Sequence, residues 1–391
     1  MKHILVFCEF ITRDEIGGSG RVIEQYVDGL KNKGFKITIF TLLRKKGLQR
    51  YEKINENVFV IRYGYFYYLN IFFAFLTVID GIFKFIKFFL TTKVDLIIIN
   101  QPYVGSVVYT SLIGWFVPKI YFFHSPWCEE YLIDKKKKGV GYYLRKIIEK
   151  KVISFCNKIL CYSEFMKNKI VSIHKIKKNI KVLHVGIDTN RFYPAENKME
   201  VKKKLGLPEN KFIIFTARRL VPRMGLENLI EAIRMLKKEF DNIFLVIAGS
   251  GWLEDKLKVL AKELGVSDYI KFVGKVSNPN VLLLYYQSAD IFVLPTKLLE
   301  GFGMVILEAM SCGVPVVSTP VGGPVEVLKN FDEHLLCKGT EPYDIYERIK
   351  YFLLNKNELQ KIAEKCREFV IKNYSKEIFI EEFKKEIEDI I

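Results

Sequence analysis

The sequence predicts an α/β protein made of two doubly wound, Rossmann-like domains. At 391 residues, half of them apolar, the chain exceeds what one ordinary core accommodates. Short apolar runs alternate with longer segments of helical periodicity, which is the pattern of parallel sheets with crossover helices. The alternation occurs twice, and Val185-Gly186-Ile187-Asp188, with Pro194 behind it, punctuates the chain between the two series. Domains are therefore expected at 1–188 and 189–391, with a last helix over about residues 374–391 placed to pack back on the first domain. Two such domains facing each other make a cleft at the carboxyl ends of both sheets, where open parallel sheets bind ligands.

The first series opens with a strand over residues 2–8, because the apolar run from Ile4 is broken at Glu9 and is too short for a secretory leader. Ile16-Gly17-Gly18-Ser19-Gly20 follows as a glycine loop. Val22, Ile23, Tyr26, Val27 and Leu30 then recur at helical spacing over residues 21–33. Strand, glycine loop and helix suit a phosphate, since glycine lets backbone N–H groups approach a ligand closely. The glycines do not spell Gly-x-Gly-x-x-Gly, which argues against a dehydrogenase. Further strands are expected at 36–42, 58–61, 94–99, 120–123, 159–162 and 182–183, with His124 ending the fourth of these runs and Trp127 nearby.

Charge is concentrated in this half. Residues 1–190 hold 31 Lys/Arg against 15 Asp/Glu, whereas 191–391 hold 30 against 29, so nearly all of the net +17 lies in the first domain. Such a field favours anionic partners. Nucleic acid is set aside because no zinc-finger spacing, RRM aromatic motif or helix-turn-helix signature is present. Residues 63–79 carry no charge and are rich in aromatics, and the stretch continues to Leu90 with Lys84 and Lys87 able to reach headgroups. It is too short and interrupted to span a bilayer, and reads as a contact with an anionic membrane surface, the alternative being a pair of helices buried in the first domain. The seven scattered cysteines contain no Cys-x-x-Cys pair and fit a reduced, cytoplasmic protein.

The second series has strands expected at 212–215, 243–248, 270–273, 291–294 and 314–317, and three amphipathic helices close the chain. Its chemistry-bearing residues fall at strand ends. Arg218, Arg219 and Arg223 follow the first strand, where guanidinium forks suit a diphosphate. Gly249 and Gly274 end the next two strands and leave room for a flat base or ribose. Glu300-Gly301-Phe302-Gly303-Met304-Val305 then opens an apolar helix whose one charge is Glu308. A carboxylate in apolar surroundings needs hydrogen-bond donors, which sugar hydroxyls supply, and a helix start offers free N–H groups to phosphate.

The run from Glu300 to Gly313 followed by Val314-Pro315-Val316-Val317, with Gly17-Gly18, His124, Ser163-Glu164, Gly186-Ile187-Asp188, Arg219 and Gly249, resembles the retaining glycosyltransferases of family 4 over nearly the whole chain. The resemblance implies the GT-B fold and a nucleoside-diphosphate-sugar donor. It implies that Glu300 binds a donor-sugar hydroxyl, assisted by the N–H groups of Phe302 and Gly303, while those of Met304 and Val305 hold the distal phosphate. Glu308 would accept from ribose, Arg219 would neutralise the diphosphate, Gly17 and Gly18 would approach the donor, and His124 would lie near the reacting sugar. One departure stands out: the lysine usual before Gly225 is Met224, so Arg223 or Arg218 is expected to replace it. No cofactor or metal is expected, the arginines being the alternative source of positive charge.

The leading expectation is a metal-independent hexosyltransferase at the inner face of the cell membrane, acting on a lipid-linked or glycan acceptor in surface polysaccharide assembly. A nucleotide-sugar epimerase or phosphorylase-like enzyme of the same fold, and a non-catalytic nucleotide-sugar-binding partner, are the alternatives.

Overall fold

The computed structural model describes residues 1–14, 17–65, 71–177 and 179–391. Two compact units divide the chain: Met1–His184 with Phe379–Ile391, and Val185–Ile378.

The first unit is built on an eight-stranded sheet. Its strands are β1 (His3–Cys8), β2 (Lys36–Leu42), β3 (Tyr51–Lys53), β4 (Val58–Tyr63), β5 (Leu96–Ile99), β6 (Lys119–Phe123), β7 (Lys158–Cys161) and β8 (Ile180–Val182). They lie in the order β3-β4-β2-β1-β5-β6-β7-β8, and every pair is parallel except β3 with β4. The order reverses at β1, which puts the carboxyl ends of β1 and β5 side by side at the topological switch point. β1 and β6 are buried along their whole length, as strands covered on both faces must be. β3 is the element that periodicity did not anticipate, because an edge strand of Tyr51-Glu52-Lys53 has no apolar run to announce it.

Six helices cover this sheet: α1 (Gly18–Asn32), α2 (Ile71–Thr91), α3 (Pro102–Thr110), α4 (Trp127–Lys135), α5 (Val140–Phe155) and α6 (Glu164–His174). The aromatic stretch of residues 63–90 divides among several environments. Tyr63 is buried at the end of β4, residues 66–70 lie outside the described residues, and α2 runs unbroken through Asp80-Gly81. Phe85 of α2 is fully buried, edge-on to Phe7 of β1 at 5.3 Å. Among the described residues, no helix is long and apolar enough to cross a membrane.

The second unit holds a five-stranded parallel sheet of β9 (Phe212–Ala217), β10 (Ile243–Ala248), β11 (Ile270–Gly274), β12 (Ile291–Leu294) and β13 (Val316–Ser318), ordered β11-β10-β9-β12-β13. Its helices are α7 (Lys198–Lys204), α8 (Leu226–Lys237), α9 (Glu254–Glu263), α10 (Pro279–Ser288), α11 (Met304–Ser311), α12 (Pro324–Phe331), α13 (Pro342–Leu354) and α14 (Lys356–Tyr374). Here the switch point lies between β9 and β12. The last helix, α15 (Lys376–Glu388), begins in the second unit and ends in the first, where Phe383 packs against Tyr26 and Phe122 with ring centroids at 4.9 and 5.6 Å.

A buried ion pair ties β4 to the chain ahead of the glycine loop. Arg62 Nε and Nη2 donate to the two carboxylate oxygens of Asp14 at 2.9 and 2.8 Å, with both side chains almost wholly buried, and Nη2 also meets Glu52 at 2.8 Å. Removing one partner strands a buried charge, so Arg62→Met is expected to cost about 3–5 kcal/mol in urea unfolding. Adding Asp14→Asn to Arg62→Met is expected to recover part of that loss; equal stability of the single and double variants would contradict it.

Candidate functional site

At the switch point of the second unit, the segments leaving β9 and β12 meet. β9 runs into Arg218 and Arg219 and then a single turn, Pro222–Met224, while β12 runs through Thr296 to Glu300. Arg218 Nη2 forms an ion pair with Glu300 Oε2 and lies against the Met224 thioether, and Thr296 Oγ1 donates to the same oxygen at 3.4 Å. The Arg218 and Glu300 side chains are only 5% and 15% exposed. Burial pushes the Glu300 carboxyl up, but the charge and hydrogen bond of Arg218, the charge of Arg223 and the Thr296 hydroxyl together hold it below the usual carboxylate range. Arg218 Nη1 is buried and has no hydrogen-bond partner among the described residues. A buried donor left unpaired is costly, so an acceptor arriving here would be favoured.

The two segments can meet only because glycine keeps their backbones bare. A Cβ at Gly225, where φ is +70°, would lie 1.8 Å from the carbonyl oxygen of Pro295. At Gly249, where φ is +138°, it would lie 1.7 Å from that of Arg218. Gly249 N–H in turn donates to the carbonyl of Gly274 at 2.8 Å, which links the ends of β10 and β11.

Gly303 caps α11 in the left-handed region, so Met304 and Val305 are its first helical residues and lie in the turn whose N–H groups a helix leaves free. Glu308, one turn in, is buried, with Tyr286 OH donating to its Oε2 at 2.6 Å. Phe302 is buried too, its ring 6.0 Å from that of Tyr374. Arg219 is exposed. Arg223 Nη1 donates to Leu299 O at 2.5 Å, and its own carbonyl accepts from Lys297 N–H at 2.9 Å, which latches the Pro222–Met224 turn onto the segment before Glu300. The second unit thus gathers Arg218, Arg223, Glu300 and the start of α11, and Arg218 is the arginine that reaches both Met224 and Glu300.

In the first unit, Gly17 caps α1 and Gly18 begins it; a Cβ on Gly17 would come within 2.9 Å of the Phe10 ring, and one on Gly18 would meet nothing within 4 Å. Ile16, the first residue of the expected loop, lies outside the described residues. His124 leaves β6 and is held at both ring nitrogens. Asn100 Nδ2 donates to Phe7 O and Tyr26 OH, at 3.1 and 2.9 Å, which turns its Oδ1 toward His124 Nε2 at 3.0 Å. His124 Nε2 therefore carries the proton, and Nδ1 accepts from Tyr162 OH at 2.5 Å. Burial lowers the His124 pKa to about 3. The imidazole is thus a neutral, anchored group and not an acid. Asn100, Tyr162 and Tyr286 were missed in the sequence; Asn100 and Tyr162 stand directly after β5 and β7, the same strand-end position that drew attention to His124.

Among the described residues, the side chains whose donor atoms converge within metal-binding range are Cys128, Glu149 and His174, all buried and within 4.8 Å of one another. They sit on α4, α5 and α6, and their wide separation in sequence hid them from any reading of spacing. Glu149 takes the Trp127 N–H at 3.0 Å and lies 3.1 Å from His174 Nε2, while burial pushes the Cys128 thiol up to about 12.

Residues 16–191 match the family described as Glycosyltransferase Family 4, and residues 197–369 match Glycosyl transferases group 1. The chain belongs to the family 4 glycosyltransferases. The whole chain superposes on sucrose-phosphate synthase from Thermosynechococcus elongatus with a TM-score of 0.88 at 20% identity, covering 100% of this chain and 99% of that one. That likeness bears out the GT-B fold. Over 215 residues it is 28% identical to a GDP-mannose-dependent alpha-(1-6)-phosphatidylinositol monomannoside mannosyltransferase of Mycobacterium tuberculosis, covering 53% of this chain and 55% of that protein. Over 258 residues it is 29% identical to the capsular polysaccharide biosynthesis glycosyltransferase CapM of Staphylococcus aureus, covering 63% and 65%. The chain therefore spans between about half and two thirds of these curated relatives.

The family's usual lysine before Gly225 is absent here, and the methionine in its place packs against Arg218. In the first unit the neutral state of His124 has a consequence for stability. Its folded pKa of about 3 lies below the ordinary 6.5, so on acidification the unfolded chain takes up this proton first. The His124 contribution is intact above 6.5 and is lost as pH falls toward 3; His3, lowered to about 4 by burial, acts in the same direction. Urea midpoints are expected to fall between about pH 7 and about pH 5, and to fall less steeply in His124→Gln. An identical slope in that variant would contradict the assignment.

Proposed function

We propose that the protein is a retaining, metal-independent glycosyltransferase that moves a hexose from a nucleoside-diphosphate sugar to a lipid-linked or glycolipid acceptor in surface polysaccharide or glycan assembly. The observation that carries this reading is the Arg218–Glu300 pair set beside the first turn of α11 at a sheet switch point. A diphosphate placed at that turn meets free N–H groups and the positive end of the helix. Arg218, with an unpartnered Nη1, supplies positive charge where leaving-group charge develops, and so takes the part of the lysine missing at Met224. Glu300 offers its carboxylate to a sugar hydroxyl, and Glu308 with Tyr286 offers an acceptor to ribose.

Arg219, exposed at the end of β9, is free to turn to the distal side of the diphosphate, and Arg223 adds its charge while holding the loop. Gly274, where a Cβ would meet nothing within 4 Å, leaves open backbone for the base, Gly249 lets its strand end close on the Arg218 carbonyl beside it, and Phe302 and Gly303 set the angle at which α11 presents Met304 and Val305. In the first unit, Gly17 and Gly18 bring bare backbone to the donor, and neutral His124, its ring nitrogens held by Asn100 and Tyr162, positions the sugar by ring contact without exchanging a proton. No carboxylate is assigned as a nucleophile on the opposite face, so same-face attack without a covalent intermediate is the mechanism proposed. The GDP-mannose dependence named for the mycobacterial relative, and the phosphatidylinositol monomannoside and capsular polysaccharide in the relatives' names, support the donor and acceptor classes. A cytoplasmic protein peripheral to the inner face of the membrane fits that acceptor.

Thermal-shift titration against UDP-, GDP-, ADP- and TDP-sugars tests the donor class; one of them is expected to raise the melting temperature, and no shift with any would sink the reading. Arg218→Met is expected to cut turnover at least about tenfold, with Arg218→Lys recovering much of it, whereas a loss confined to Arg223→Ala would assign the missing charge to Arg223. Turnover is expected to be unchanged by EDTA; loss on chelation, restored by a divalent ion, would overturn metal independence.

A further inference from the structure

Helix α5 has two apolar faces, of which only one is used inside the fold. Tyr142, Glu149, Val152 and Ile153 are buried against the first unit. On the opposite side, Val140, Tyr143, Leu144 and Ile147 are 84%, 54%, 51% and 52% exposed. At helical pitch these four fall within an arc of about 100°, the width of a packing face. The chain around them is strongly basic: residues 135–151 contain eight Lys/Arg and one acid, Glu149, which is buried. Lys135, the last residue of α4, and Lys136 to Lys138 after it are exposed ahead of the helix, and Lys150 and Lys151 are exposed where the stripe ends.

We propose that this outward face of α5, with the Lys135–Lys138 run, is the surface through which the first unit rests on an anionic lipid bilayer. An apolar stripe bordered by lysines is the arrangement of a helix that lies in the plane of the interface, with side chains in the acyl boundary and ammonium groups among headgroups. The charge also argues against a second copy of the chain: a two-fold contact across this face would set each lysine run near its own image. A soluble polyanion would satisfy the lysines but leave Val140, Leu144 and Ile147 in water.

Placement along the fold adds a reason. Only Cys156 and Asn157 separate the end of α5 from β7, which pins that helix end to the amino edge of the sheet. Sixteen helical residues span about 24 Å, whereas the four of β7 span about 13 Å, so the excess length stands past the carboxyl edge. That edge carries His124 and Gly17. Of the exposed apolar residues of α2, Phe75 lies in the first half of the helix, and Phe83 and Leu90 lie in its second half, toward the amino edge. The inference rests on the membrane-borne acceptor proposed above and gives the surface that would meet it.

The test is co-sedimentation of the full chain with phosphatidylcholine vesicles, with and without phosphatidylglycerol, and with no nucleotide sugar present. Binding is expected only with phosphatidylglycerol, and both Leu144→Ser with Ile147→Ser and the replacement of Lys135–Lys138 by glutamine are expected to lower the partition coefficient at least about tenfold. Phe83→Ser with Leu90→Ser is expected to bind as the wild type does. Because the substituted side chains are exposed, melting temperatures are expected to stay unchanged, and the donor-induced thermal shift should survive in every variant. Wild-type binding by the α5 variants, loss confined to the α2 variant, or a dimer in solution that the α5 substitutions dissolve would each overturn the proposal. Absence of a donor shift in a chain that still binds vesicles would sink the transferase reading and leave this one standing.

Discussion

Glu300 is a carboxylate placed at the meeting of two strand ends, where water has little access, and its charge is tolerable because Arg218 lies against it. The surrounding geometry serves that pairing. Gly225 and Gly249 let backbones approach to distances at which any side chain would collide with a carbonyl, and Arg223 straps the Pro222–Met224 turn to the segment before Glu300. The pair leaves the buried Nη1 of Arg218 without a hydrogen-bond partner among the described residues. A site that already holds its positive charge in place, with a donor to spare, is organised before an anion arrives, and little reorganisation remains for the moment charge develops.

The first unit uses the same topological device for a different kind of group. Its switch point holds a chain of neutral hydrogen bonds, from Tyr26 through Asn100 and His124 to Tyr162, where the second unit has an ion pair. Both ring nitrogens of His124 are committed and its pKa is far below neutrality, so the histidine is fixed in tautomer and orientation. A fixed neutral edge suits the recognition of an uncharged sugar, and a charged pair suits a diphosphate. The first half carries nearly all of the net charge, and residues 135–151, leading into and along α5, are a densely basic stretch of it.

Much of this was legible in the residues. Every expected strand overlaps an observed one, because buried parallel strands are near-continuous apolar runs bounded by glycine or polar residues. The strand-end rule found Arg218, Arg223, Glu300 and His124, and the apolar surroundings of Glu308 marked a buried helix. What escaped has a common cause. Asn100, Tyr162 and Tyr286 become partners only when strands distant in sequence lie side by side, and Cys128, Glu149 and His174 converge from three helices. The exposed stripe on α5 was equally hidden, since apolar residues occur on two sides of this helix and only the packing shows which side is covered.

The sequence by itself determined the two doubly wound sheets, the family, and which strand ends carry chemistry, because those follow from local periodicity and from residues adjacent in the chain. Only the tertiary structure decided which arginine stands at Met224, that His124 is neutral, and which face of α5 stays uncovered. Those outcomes depend on distances between segments tens of residues apart, and on burial, which no local pattern contains.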